Sequence, residues 1–178
     1  MARFADRETP ARVVLLEDDE SYRAILVAEL RSALSVGVDG AATTGFNGAD
    51  GAIATAMFDE KPKLAPDVEC HFLKTRSVAG AMSIENRPSQ TDLIAVLSGW
   101  DKFLLLARTF LIAARIDAES LIVRSTRESG WRKGLDAATL IICDAPTAEH
   151  FNGDPRLRTF RLISDESIGE LRQLLGGK

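Results

Sequence analysis

The chain has 178 residues, enough for a core of ordinary size as one domain or as two compact halves. Hydrophobic residues make up 46% and charged residues 27%, a balance that excludes a chain too polar to fold. The net charge of −4 argues against a basic face able to hold a nucleic-acid backbone unaided, so action on DNA would need a separate gripping module.

The first ten residues, Met1 to Pro10, are charged and lack the apolar centre of a signal peptide. No apolar run approaches the ~20 residues of a membrane span. The expected compartment is the cytoplasm, with no membrane partner. The run from Arg12 to Leu16 reads as a buried parallel strand. Glu17, Asp18, Asp19 and Glu20 follow, acids that suit the positive end of a helix beginning near Asp19. Tyr22, Ile25, Leu26, Leu30 and Leu34 recur at helical spacing and give the helix over 19–34 one apolar face. Further strands are predicted at 36–38, at 52–58 closed by Asp59, and at 68–75, with a short helix at 77–82. The polar stretch 85–92 holds Pro88 and reads as a connector, with its body at 87–92.

From Leu93 the same order returns. A strand over 94–97 leads into the loop Ser98, Gly99, Trp100, Asp101, and a helix over 101–115 carries Phe103, Leu106, Phe110, Leu111 and Ala114. Tyr22 aligns with Phe103 and Leu30 with Leu111 without a gap. Residues 121–123 answer 36–38, residues 137–144 answer 52–59, residues 158–164 answer 68–75, and residues 167–171 answer 77–82. The expected fold class is α/β: two similar Rossmann-like lobes related by internal duplication, at 12–86 and 93–175, each an open parallel sheet with right-handed crossovers. Ligands of such sheets sit beyond the carboxyl ends of the strands. Two facing lobes would then make a cleft of the periplasmic-binding-protein kind.

The stretch from Asp92 to Leu135, with its Leu93–Trp100 run, Ala107-Arg-Thr109 and Gly130-Trp-Arg-Lys-Gly134, resembles the effector-binding region of certain GntR-type bacterial transcription regulators. The flanks Ile142-Cys-Asp144 and Leu162–Ser167 are similar as well. This resemblance implies a homodimeric, ligand-responsive regulator that meets DNA through an amino-terminal winged helix-turn-helix. Too few residues precede the first strand for such a module, so the expectation is a sensor domain without it.

Several residues are candidates for holding an effector. Ser98 suits the cap of the following helix, Gly99 would leave backbone N–H groups open to an anion, and Trp100 could lie over a ligand face. The plain alternative is a capped helix with Trp100 packed on the surface. Arg124, Ser125, Thr126 and Arg127 follow the second strand of the second lobe, where a guanidinium fork could grip a carboxylate or phosphate; the alternative is a solvated loop. Asp18 occupies the matching loop of the first lobe with the opposite charge, so an amphoteric ligand such as an amino acid could place its amine there and its carboxylate at Ser98 and Arg124. Asp144 ends a strand. Thr75 and Arg76, like Ser164 and Asp165, stand where each sheet ends and a last helix begins, as a hinge if those helices cross over or as simple caps.

Other chemistries find less support. Cys70 and Cys143 make no disulfide framework, and with His71 and His150 they do not form a zinc pattern, so no metal or cofactor is expected. Cys70 and His71 are adjacent, so on a strand they point to opposite faces and form no catalytic pair; no catalytic residues and no enzyme are expected. The opening Val14-Leu-Leu-Glu-Asp-Asp-Glu20 also resembles the start of a phosphorylation-driven receiver domain. That alternative needs an acceptor aspartate ending the third strand, where Asp59 is the nearest fit.

Overall fold

The computed structural model describes residues 13–34, 37–41, 51–55, 69–81 and 92–175. In chain order these form β1 (Val13–Leu16), α1 (Glu20–Leu34), β2 (Val38–Ala41), β3 (Gly51–Thr55), β4 (Glu69–Leu73) and α2 (Val78–Ala81). There follow β5 (Ile94–Ser98), α3 (Asp101–Ala113), β6 (Leu121–Ser125), β7 (Leu140–Cys143), α4 (Ala145–Ala148), β8 (Leu157–Thr159) and α5 (Asp165–Leu174). No helix among the described residues is long and apolar enough to cross a membrane.

The chain is α/β with parallel sheets. It divides into two compact units, one of Met1–Thr75 with Ile163–Lys178, the other of Arg76–Leu162. The first unit holds a parallel sheet in the order β2-β1-β3-β4, and the second a parallel sheet in the order β6-β5-β7-β8. In both, the first strand takes a central place because the chain crosses over a helix to one side and later returns on the other. The connector expected at 87–92 lies outside the described residues except for Asp92.

In the first unit, α1 buries Tyr22, Ile25, Leu26, Leu30 and Leu34, the stripe its spacing predicts. The same stripe includes Glu29, which is buried and accepts a hydrogen bond from the Ile163 N–H at 3.0 Å. Thr75 and Ile163 form an isolated antiparallel bridge, and the Ser164 N–H donates to the Lys74 carbonyl at 3.0 Å. Helix α5 then packs on α1, where Arg172 donates through Nε and Nη2 to the Ala33 carbonyl. The last helix therefore belongs with the first sheet. By the same exchange α2, which follows β4, packs on α3 in the second unit, where the Arg76 N–H donates to the Leu162 carbonyl at 2.6 Å.

The second sheet is covered on both faces. On one, Ala95, Leu97, Ile141 and Cys143 pack with Leu135 and Ala138, flanked by Trp131, Phe151 and Leu157. On the other, α3 buries Phe103, Leu104, Ala107 and Leu111, with Phe103 stacked on Phe160 at 4.0 Å between ring centres. The sequence spacing assigns Leu106 to this core, but Leu104 and Ala107 fill it and Leu106 is 51% exposed. Arg156 braces the opposite end. It donates to Asp154 through Nε and Nη2 and to the Leu135, Asp136 and Ala138 carbonyls through Nη1. The guanidinium holds the Asp154 carboxyl below its ordinary value.

Register corrects the expected alignment of the two halves. Val38 and Leu121 both lie beside the first residue of the central strand, so β2 matches β6 two residues later than the 36–38 reading. Gly51 and Leu140 occupy equivalent places beside Val13 and Ile94. Counting forward, Thr55 and not Asp59 is the counterpart of Asp144. Asp59 lies outside the described residues.

Candidate functional site

The second unit gathers its polar candidates at the carboxyl ends of β5, β6 and β7. Strand β5 is flanked by β6 on one side and β7 on the other, so the gap between β5 and β7 is where the connections turn to opposite directions. Ligands of open α/β sheets bind at such switch points.

Asp144 is the centre of this site. It is 1% exposed and accepts three hydrogen bonds: from Ser98 Oγ at 2.6 Å, from the Gly99 N–H at 3.2 Å and from the Thr147 N–H at 2.8 Å. Its position follows from local sequence. Asp144 is the cap of α4, and Pro146 fits the first turn because its missing N–H needs no partner there. Sequence reasoning passed over Thr147, although Asp144 followed by Pro146 is the signal that would have found it. One carboxylate therefore fastens the β5 loop to the β7 loop.

Ser98 is fully buried, donates to Asp144 and accepts from the Trp100 N–H at 3.0 Å. The helix cap is Trp100, which makes no side-chain cap bond. Ser98 thus secures the turn before α3 instead of capping the helix. Gly99 does not leave its N–H open, since that group is spent on Asp144. A Cβ on Gly99 would stand 3.5 Å from Thr126 Oγ1, which places the Thr126 hydroxyl directly against the loop. The Thr126 N–H donates to the Ser98 carbonyl at 3.0 Å. Trp100 is half-buried and lies stacked toward Phe103, with ring centres 6.2 Å apart.

Ser125 pairs in register with Ser98 on the neighbouring strand. Its residue is 8% exposed, and its Oγ has no hydrogen-bond partner among the described residues. Arg124, one position earlier, points elsewhere: its Nη1 donates to the Trp131 carbonyl at 3.2 Å and to the Lys133 carbonyl. The structure brings Ser98, Gly99, Thr126 and Asp144 together with Ser125 beside them. It assigns Arg124 to bracing the 131–133 loop.

Cys143 precedes Asp144 and is buried, and burial with the adjacent carboxylate pushes its thiol up to about 12. The thiol therefore stays protonated at neutral pH. Among the described residues no group of three or more His, Cys, Asp or Glu side chains could hold a metal ion.

In the first unit, the acidic loop is largely taken up by the chain itself. Glu17 is buried and its carboxylate accepts from the Asp19 N–H at 3.0 Å, while its carbonyl accepts from Arg23. Asp19 Oδ1 accepts from the Ser21 and Tyr22 N–H groups, both at 3.2 Å, and so caps α1. Asp18 stands exposed between them. Thr75 is hydrogen-bonded to Tyr22, whose phenol is raised by burial, opposed by that bond, and raised further by Glu17 and Glu29. Register sets Glu17 and Thr55 where the second unit has Ser98 and Asp144, so acid and hydroxyl residue have exchanged strands.

Comparison of the chain with protein-family models, curated proteins and solved structures gives no match. The site's own geometry carries the functional reading.

Proposed function

We propose that the chain is the small-molecule-sensing part of a regulator, taking its effector at the carboxyl ends of β5, β6 and β7. The observation that carries this reading is the Ser125 hydroxyl, buried and without a partner among the described residues, beside loops that Asp144 already holds rigid. Buried hydroxyls are normally hydrogen-bonded, and an effector atom arriving there supplies what is missing. Rigid loops at a switch point are what preorganised binding needs. The amino end of α3 opens on the same loop, and its dipole favours a carboxylate. An anionic or amphoteric effector, with amino acids first, is the class that suits it.

In this reading the whole chain is a duplicated, two-lobed sensor of the periplasmic-binding type, as in GntR-type regulators. The shared strand order of its two sheets supports that. It acts in the cytoplasm, performs no catalysis, and leaves DNA to a separate module. Effector binding shifts lobe or dimer arrangement only as far as it favours one state over the other. The receiver alternative finds Thr55 at the tip of β3, where it needs an acceptor carboxylate.

Isothermal titration of the whole chain against amino acids and small carboxylates tests the proposal. One class should bind saturably, and Ser125→Ala should weaken it about 5–10-fold, the worth of one hydrogen bond. Flat titrations throughout, or an affinity that Ser125→Ala leaves untouched, would end it.

A further inference from the structure

The turn over 130–134, on the connection after β6, has part of its backbone directed outward. Arg124 lies beneath it and donates through Nη1 to the Trp131 carbonyl at 3.2 Å and to the Lys133 carbonyl. No described peptide bond is cis, and a trans unit holds its C=O and the following N–H on opposite sides. Drawing these two carbonyls inward therefore turns the Arg132 and Gly134 N–H groups away from Arg124, on residues that are both exposed. Neither N–H donates to any described residue. Those of Lys133 and Leu135 are spent inside the turn, on the Gly130 carbonyl at 2.9 Å and the Arg132 carbonyl at 3.2 Å. The approach is open, since nothing lies within 4 Å of where a Cβ would stand on Gly130 or Gly134.

The side chains of the same connection are cationic. Residues 126–134 hold Arg127, Arg132 and Lys133 against one acid, Glu128, and all four are exposed. None of them makes an ion pair among the described residues, in a chain whose net charge is −4. The Arg132 guanidinium is already held in place, 4.8 Å over the Trp131 ring, and gives one N–H to the His150 carbonyl at 3.4 Å. Its remaining N–H groups are left for an acceptor. Outward backbone N–H groups beside a guanidinium and an ammonium are the donor set of an anion-binding loop. A carboxylate offers two oxygens in one plane. A phosphate offers three around a tetrahedron and carries up to two charges, which matches two N–H groups and two cations.

We propose that the 130–134 turn is a phosphate-binding loop for a small phosphorylated molecule. The Arg132 and Gly134 N–H groups hold the phosphate oxygens, and the Arg132 and Lys133 side chains neutralise their charge. Arg124 is the positioning residue, shaping the turn without touching the anion. The site is distinct from the one read around Ser125, because Arg124 and Ser125 are consecutive on β6 and leave it on opposite faces. It stands whether or not an effector binds there. Nucleic acid is the poorer occupant, since a duplex spreads its charges along a length that one short turn on an acidic chain does not match.

Amide NMR of the full chain tests this, with inorganic phosphate and glycerol phosphate titrated against potassium chloride at equal ionic strength. The Arg132 and Gly134 N–H signals should move downfield and saturate with a Kd of ~0.1–1 mM, while those of Lys133 and Leu135 move less. Acetate should bind at least about 10-fold more weakly. Arg132→Ala and Lys133→Ala, both at exposed positions, should each cost about 10-fold in affinity. Arg124→Met should cost as much, and Arg124→Lys, which keeps a donor beneath the turn, should recover part of that loss. Ser125→Ala should leave phosphate binding unchanged, so the two sites fail or hold separately. Signals at 132 and 134 that phosphate leaves in place, shifts matched by chloride or acetate, or an affinity kept when Arg132 and Lys133 are both alanine would each overturn the proposal. Tighter binding to a short DNA duplex than to the phosphate ester would overturn it too.

Discussion

Asp144 shows how one buried carboxylate can replace a larger network. Its three donors come from two loops, and without it the Ser98 hydroxyl and the Thr147 N–H would be buried with no acceptor, while the part-buried Gly99 N–H would lose its partner. Unsatisfied buried donors cost more than the bonds themselves return. Asp144→Ala should therefore lower the stability of the second unit by about 2–4 kcal/mol, and Ser98→Ala by about 1–2 kcal/mol. Because both act on one network, the double variant should fall well short of the sum. Urea denaturation followed by tryptophan fluorescence measures all three. Strict additivity would show that the two residues act separately.

At the scale of the element, α3 ends in a way that departs from the usual chemistry. The Ile116 N–H bonds to the Leu111 carbonyl at 3.0 Å and the Arg115 N–H to the Ile112 carbonyl at 2.9 Å, the pattern of a Schellman stop. That stop needs a left-handed residue, and Arg115 supplies it at φ 67°, where glycine is the ordinary choice. Arg115→Gly should raise stability by about 0.5–1 kcal/mol, read as a higher melting temperature. A lower melting temperature would mean that the arginine side chain makes up for its backbone strain.

For the whole molecule, the consequence of the exchanged helices is asymmetric. The second unit is continuous from Arg76 to Leu162, whereas the first is completed by Ile163–Lys178. Residues 1–75 alone lack α5 and the Ile163 N–H, leaving the buried Glu29 without that donor. A fragment of residues 76–162 should unfold cooperatively on its own, and a fragment of residues 1–75 should not. Differential scanning calorimetry separates the two cases. A fragment 76–162 without a cooperative transition would show that the second unit cannot hold its fold by its own contacts.

What the residues determined by themselves was local. Apolar runs at 12–16 and 94–97 became β1 and β5, and the spacing of Tyr22 through Leu34 and of Phe103 through Leu111 became α1 and α3, because strand and helix periods are written in neighbouring positions. The loop at Ser98, Gly99 and Trp100 and the aspartate at 144 were also legible as strand-end polar residues. Their partnership was not, since it joins positions 46 residues apart. Tertiary structure alone decided that Thr55 answers Asp144, that Arg124 turns to its own loop, and that Glu29 is buried to receive the Ile163 N–H across 134 residues of sequence. Sheet register and helix exchange arise from contacts between distant segments, and such contacts leave no period in the chain to be read.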